Sequence, residues 1–92
     1  MANHTIILGG EIAIGAGIGN SSTVGSATLV RVHNDSGATA VISVTDPTGS
    51  NDYSGIGSIT MPNASTEYIE KRPSYTVWSD KNIRAAKVGF TN

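Results

Sequence analysis

Apolar and small residues alternate near the start of this chain. From position 12 to position 18, one face of the predicted strand carries Ile12, Ile14, Ala16 and Ile18. A period of two residues is typical of a β-strand. The opposite face is nearly bare, because positions 13, 15, 17 and 19 hold only Ala and Gly. Since a bare face allows another backbone to approach closely, we expect either this chain's own second sheet or a neighbouring subunit to pack there.

The rest of the sequence predicts short strands separated by turns. The first lies at residues 4–8, and residues 29–33 and 40–45 are expected to form a hairpin around the letters NDSG. That turn places Gly37 in the left-handed conformation of a G1 bulge. A long irregular loop is expected at residues 46–57, which are rich in Pro, Gly, Asn and Ser. Later strands are predicted at residues 58–62, 66–72, 75–79 and 82–92.

These signals predict an all-β fold, a single small antiparallel β-sandwich or Ig-like barrel of about six to eight short strands. Residues 1–92 are expected to form one domain, with residues 1–19 as an extended arm or an edge strand. Ser, Thr, Asn and Gly account for 39 of the 92 residues, which favours strands and turns over helices. Trp78 and Phe90 are expected in the core, and Tyr53 is expected as an exposed anchor in the long loop.

Composition and charge exclude several classes of site. The chain has no cysteine, so a disulfide framework, a thiolate zinc site and a cysteine nucleophile are all excluded. Charged residues make up 14% of the sequence and the formal net charge is -1, so neither nucleic acid nor a membrane is an expected partner. The N-terminal letters MANHTIILGGE lack the features of a signal peptide. We therefore expect synthesis in a cytoplasm without export by such a peptide.

Charge is distributed unevenly along the chain. Residues 1–66 contain one basic and four acidic residues, whereas residues 67–92 contain five basic and three acidic residues. Two interpretations remain open. The basic residues either solvate strand faces and protect sheet edges, or they form a mildly basic face that docks on an acidic protein surface.

The glycines of AIGAGIGN resemble a phosphate-binding loop but do not meet its requirements. Gly15 and Gly17 match the first two glycines of the motif G-x-G-x-x-G, whereas Asn20 stands in place of the third. The motif also needs a following helix whose N-terminus faces the phosphate. The β-branched residues that follow Asn20 predict no helix, so no nucleotide cofactor is expected.

No catalytic or metal-binding set is predicted. His33 directly precedes a turn, where a histidine is ordinarily hydrogen-bonded within the fold or exposed to solvent. Glu67 and Glu70 lie three residues apart in a predicted strand, so they point to opposite faces and do not form an acid/base pair. Asp46 and Asp52 lack the residue order of a calcium loop. We therefore expect a protein that is not an enzyme and that has no cofactor.

The last third of the chain resembles a family of structural proteins. The letters ITMPNASTEYIEKRPSYTVWSD, followed by IRAAKVGFTN, resemble small structural proteins of marine tailed bacteriophages, especially those that infect cyanobacteria. Lys71, Pro73, Thr76 and Val77 occupy the positions of a K-x-P-x-x-T-V sequence, and residues 88–91 form the closing V-x-F-T. The resemblance implies a virion component, most of all on the capsid surface, and implies no catalytic residue.

The resemblance and the small size together predict a capsid decoration (cement) protein of the head shell. A small domain without disulfides gains stability when it binds a large scaffold. The implied partners are the major capsid protein or other virion subunits, with homo-oligomers as a further arrangement, and the implied location is the virion. The alternative is a tail, baseplate or head-fibre accessory domain that binds carbohydrate or a host surface. The residues expected at the protein interface are Ile12, Ile14, Gly15, Gly17, Ile18, Tyr53, Arg84 and Lys87.

Overall fold

The computed structural model describes residues 4–46 and 54–91, which form two antiparallel β-sheets packed into a small sandwich. The predicted all-β fold is therefore confirmed. The strands are β1 (His4–Ile7), β2 (Ile12–Ile14), β3 (Leu29–His33), β4 (Ala40–Asp46), β5 (Ser54–Met61), β6 (Thr66–Glu70), β7 (Thr76–Ser79) and β8 (Ile83–Thr91). A single turn of 3₁₀ helix, Ile18–Asn20, lies between β2 and β3.

The two sheets differ in size and share no hydrogen-bonded strand. The larger sheet has the order β1-β8-β3-β6, and β2 also pairs with β8. β8 is long enough to hold both short strands, because β1 pairs with residues 88–91 and β2 pairs with residues 83–85. The smaller sheet has the order β5-β4-β7. Residues 4–14 therefore form one interrupted edge of the larger sheet.

The core lies between the two sheets and is built from alternate strand positions. On β3, Val30 and Val32 point inward while Leu29, Arg31 and His33 are only half-buried on the other face. This is the alternation that a two-residue period requires. The buried core comprises Ile14, Val24, Ala27, Val30, Val32, Ala40, Ile42, Met61, Val77, Ile83 and Ala85.

The predicted hairpin of residues 29–33 and 40–45 is wrong, although both strands exist. β3 pairs with β6 and β8, whereas β4 pairs with β5 and β7, so the two strands lie in different sheets. Gly37 has the predicted left-handed backbone, with φ of +87°. The buried side chain of Asn34 explains the difference. Its Nδ2 donates to the carbonyls of Ala38 (2.8 Å), Met61 (3.0 Å) and Pro62 (3.1 Å), which ties this turn to the β5–β6 connection and leads the chain across the sandwich.

The predicted irregular loop of residues 46–57 is also shorter than expected. β4 continues to Asp46, and β5 already begins at Ser54. The register shifts between Val44, which is opposite Gly57, and Thr45, which is opposite Gly55, so Ile56 is an extra residue in β5. The glycines here belong to a β-bulge rather than to a loop, and sequence does not distinguish the two. Tyr53 lies outside the described residues.

Trp78 was expected in the core, and this prediction is wrong. Its neighbours on β7, Val77 and Ser79, point inward and are fully buried. Trp78 is opposite Ser43 on the outer face of the smaller sheet and is half-buried. Because Val77 and Ser79 occupy the inner positions of β7, alternation places the indole between them on the outer face.

Candidate interaction surface

The segment AIGAGIGN forms a corner by which the chain passes from one sheet to the other. After β2 has paired with β8, the Gly17 amide donates to the Ser79 carbonyl at 2.8 Å. Ser22 then forms an isolated bridge with Val77, again on β7. The backbone that approaches this segment is therefore the chain's own second sheet, which was one of the two expected alternatives. The corner closes the sandwich on the side where β7 and β2 lie.

The geometry of this corner favours glycine at two positions. Gly17 has φ of +101° and ψ of 151°, a region that is open essentially to glycine alone. A Cβ at Gly15 would lie 3.2 Å from Nδ2 of Asn20, and this amide group donates to the Ala16 carbonyl at 2.9 Å. The Ala16 amide in turn donates to Oδ1 of Asn82 (2.9 Å). A network of hydrogen bonds therefore holds the corner in place.

The predicted strand from residue 12 to residue 18 is wrong beyond Ile14, where β2 ends. Ile14 is only 2% exposed and belongs to the core, so it does not face a partner. Ile18 is half-buried in the 3₁₀ helix beside Gly17. Of the expected interface residues in this segment, Ile12 is the one whose large side chain is exposed. The structure thus separates these residues instead of presenting them on one face.

Arg84 lies on β8 and is engaged by acidic groups of the same chain. Its Nε donates to Oδ2 of Asp35 at 2.7 Å, and its Nη1 lies 3.9 Å from Oε1 of Glu11. Arg31 contacts the other oxygen of Glu11 at 3.4 Å. The hydrogen bond from Arg84 lowers the pKa of the Asp35 carboxyl, and Asp35 raises the pKa of Arg84. Asp35, Glu11 and Arg84 are exposed and Arg31 is half-buried at the surface, so the cluster orders the surface more than it stabilises the fold.

Lys87 is the expected interface residue that lies beside exposed apolar groups. It is half-buried on β8, and it lines a recess together with Leu8, Ile12 and Val24. The Leu8 amide donates to the Lys87 carbonyl at 2.9 Å, which joins the end of β1 to β8. The aliphatic part of the lysine covers this recess, as long cationic side chains often do on apolar surfaces.

Residues 5–8, which we call the β1 edge, expose apolar side chains on both faces of the larger sheet. Ile7 is 77% exposed and Leu8 is 55% exposed, and Ile6 is exposed as well. Ile6 and Ile7 point to opposite faces, because neighbouring residues of a strand alternate. The sequence letters IIL at residues 6–8 indicate this surface. Three consecutive large apolar residues do not alternate with polar ones. In a terminal strand, some of them therefore remain exposed unless a partner covers them.

The backbone of the β1 edge is also open. Because the Leu8 amide faces β8, the Ile7 amide faces away from it, as antiparallel pairing requires. β1 is the terminal strand of its sheet, and no strand of the described residues lies beyond it. Residues 4–10 contain no Lys, Arg, Asp, Glu or Pro, which are the residues that usually protect such an edge from pairing. The β1 edge is therefore a terminal strand whose outward backbone groups and apolar side chains are not covered by the described residues.

The residues weighed for catalysis do not converge. Nδ1 of His33 is hydrogen-bonded to Oγ1 of Thr66 at 2.8 Å, and Glu67 and Glu70 are both exposed. Within residues 4–46 and 54–91, no group of three His, Asp or Glu side chains has the arrangement of a metal site. The same residues contain no helix with the length and apolar character needed to cross a membrane.

Comparison with family models, with curated proteins and with solved structures finds no match to this chain. The function is therefore argued from the residues and the geometry of the chain itself.

Proposed function

We propose that this protein is a non-enzymatic structural protein of a phage virion, a capsid decoration (cement) protein that binds the outer surface of the head shell. The observation that carries the proposal is the β1 edge, a terminal strand with apolar side chains on both faces. The resemblance of the last third of the chain to phage structural proteins supplies the setting. The partner in this proposal is a strand of a shell subunit that extends the larger sheet.

The physical gain from such pairing is substantial for a small domain. Strand addition satisfies backbone groups of β1 that otherwise bind water, and it removes apolar side chains from water. Full burial of an isoleucine side chain contributes about 1.5–3 kcal/mol. Because Ile7 is 77% exposed in the free protein, most of that gain is still available on binding. A factor of ten in affinity corresponds to about 1.4 kcal/mol, so Ile7 alone supplies about one factor of ten.

Cosedimentation with purified particles tests the proposal. The protein is mixed with empty capsids of a candidate phage or with isolated tails, and the bound fraction is measured as a function of concentration. We expect binding to capsids, and we expect Ile7→Lys to lower the affinity about tenfold or more. Val41→Lys is the matched control, because Val41 is also an exposed β-branched residue but lies on β4 in the other sheet.

Two results would contradict the proposal. One is a wild-type protein that binds neither capsids nor tails. The other is an Ile7→Lys variant that binds capsids as well as Val41→Lys does. Thermal unfolding of both variants is measured in parallel, so that a loss of binding is not confused with a loss of folding.

A second candidate function is an accessory domain of the tail, baseplate or head fibre that binds carbohydrate. The observation that favours it is the placement of Trp78 on an outer sheet face, where it lines a recess with Ile18 and Ser43. Aromatic rings on such faces stack on sugars. Titration of the intrinsic fluorescence of Trp78 with host polysaccharide tests this function, which is excluded if the emission does not change at saturating glycan.

A further inference from the structure

On the side of the sandwich opposite the β1 edge, no further strand of the described residues covers the ends of the two sheets. β6 is the terminal strand of the larger sheet on that side, and β5 is a terminal strand of the smaller sheet. Between them lies a cavity of about 290 Å³, which we call the β5–β6 groove. Apolar and aromatic side chains from both sheets line it: Ile42, Val44, Ile56, Ile59, Ile69 and Tyr75. The groove thus exposes part of the core to solvent.

Lys71 lies at this groove and is an unusual residue for such a place. It is only 7% exposed, and it follows β6 with its amide bonded to the Thr28 carbonyl. Its Nζ donates to the carbonyls of Ala27 (2.8 Å) and Arg72 (3.3 Å). An ammonium has three N–H donors, and among the described residues no carboxylate lies within 4 Å of this one. Burial lowers the pKa of the Lys71 ammonium.

A buried ammonium held only by carbonyl groups is incompletely compensated. Lysine is almost never this buried unless it is paired, because removing the charge from water costs several kcal/mol. Glu70 also lines the groove, but it is exposed and opposite Leu29, and its carboxylate lies more than 4 Å from Nζ of Lys71. Because only two acceptors are present for its three N–H donors, Lys71 keeps one donor for a carboxylate that comes from outside the described residues.

The edge of β5 offers backbone groups beside the same groove. Residues 54–61 contain no charged residue and no proline. The bulge at Ile56 interrupts the ladder, so the regular part of this edge is formed by residues 57–61. Ile56 is 54% exposed, and Ile59 is exposed beside it. An apolar terminal strand without charges is a site where another strand pairs.

We propose that the β5–β6 groove binds an extended acidic peptide segment of a partner protein. The segment adds to the edge of β5, places apolar side chains in the groove and pairs one carboxylate with Lys71. A peptide fits these features better than a small apolar acid does, since only a peptide uses the open backbone of β5. This site is separate from the β1 edge and goes beyond the function proposed above. Two docking sites on opposite sides allow one copy to join two neighbouring subunits.

Selection from a display library of random octapeptides tests the groove. The full-length protein is immobilised, and the enriched peptides are sequenced. We expect peptides with apolar residues at alternate positions and one Asp or Glu. The enriched peptide is then synthesised with its acidic residue or with the matching amide, and its Kd is measured with wild type, Lys71→Met and Ile59→Glu. We expect the amide form to bind wild type at least tenfold more weakly, and Lys71→Met to bind both forms equally.

NMR chemical-shift mapping locates the bound peptide, and octanoate serves as a small apolar acid for comparison. The acidic peptide is expected to shift the backbone amide resonances of residues 57–61 and of Lys71, and Ile59→Glu is expected to abolish binding by repelling the peptide carboxylate. Enrichment without acidic residues, resonance shifts at the β1 edge, or equal binding of the two peptide forms to wild type would overturn the proposal. Octanoate that binds this groove while no peptide does would also overturn it. Ile7→Lys, which tests the β1 edge, is expected to leave peptide binding unchanged.

Discussion

Gly17 makes possible a sharp test of how the chain turns from one sheet to the other. Its φ of +101° and ψ of 151° lie in a region where an L-residue is strained by about 1–3 kcal/mol. A Cβ at this position would meet no atom within 4 Å, so steric contact adds nothing to that cost. Alanine also restricts the unfolded chain, which offsets about 0.4–1 kcal/mol. We therefore expect Gly17→Ala to lower the free energy of unfolding by about 1–2 kcal/mol.

Gly19→Ala is the matched control in the same corner. Gly19 does not have a positive φ, and a Cβ there would also meet no atom within 4 Å. We expect this variant to be unchanged or more stable by up to about 1 kcal/mol. Urea denaturation measures both free energies. For a domain of this size, a loss of about 1–2 kcal/mol in Gly17→Ala corresponds to a Tm roughly 4–15 °C below that of wild type.

Two results would refute this reasoning. Equal stability of Gly17→Ala and Gly19→Ala would show that the backbone of Gly17 relaxes without cost. A large loss in both variants would show that the segment tolerates no side chain, for a reason other than backbone strain. The hydrogen bond from the Gly17 amide to Ser79 is retained by alanine, so its loss does not account for either result.

Two further predictions concern buried polar groups. Asn34→Ala removes a fully buried amide that donates to the carbonyls of Ala38, Met61 and Pro62 and accepts from the Ser36 amide. We expect a loss of about 2–4 kcal/mol in urea denaturation, because a typical hydrogen bond contributes about 0.5–1.5 kcal/mol and several are lost together. A loss below about 1 kcal/mol would contradict the role given to Asn34. Lys71→Met replaces an ammonium whose pKa is lowered by burial, and we expect it to be as stable as wild type or more so at pH 7. A lowered pKa means that the unfolded lysine binds more protons than the folded one, so the stability of wild type relative to Lys71→Met should increase as the pH rises toward the ordinary lysine pKa of about 10.4. A difference between the two proteins that is constant from pH 7 to pH 10 would contradict this.

Local patterns predicted most strands and little of their arrangement. The alternation at residues 29–33 and 40–45 placed β3 and β4 correctly, and Gly37 has the backbone that its turn residues indicate. Both features depend on a few adjacent residues. The pairing of these strands was not predictable in the same way, because the turn that ends β3 is held by Asn34 against Met61 and Pro62, which lie far away in sequence.

The candidate surface was predicted only in part for the same reason. The sequence indicated that the first 19 residues would approach another polypeptide closely, and the corner at Gly17 does so within the chain. It did not separate Ile14, which is buried, from Ile7, which is exposed. Nor did it indicate Lys71 as a buried group, since a lysine next to Arg72 in a polar stretch is normally solvated.

The sequence by itself determined that the chain forms short strands, that it has no disulfide, and which face of several strands is apolar. These properties depend on residue type and on a period of two, and both are local. Only the tertiary structure decided that β3 and β4 lie in different sheets, that AIGAGIGN is a corner rather than a strand, and that the described residues leave the β1 edge and the β5–β6 groove uncovered. The physical reason is that alternation determines which face of a strand is buried, whereas the neighbour of that strand is selected by packing and hydrogen bonding between residues distant in sequence.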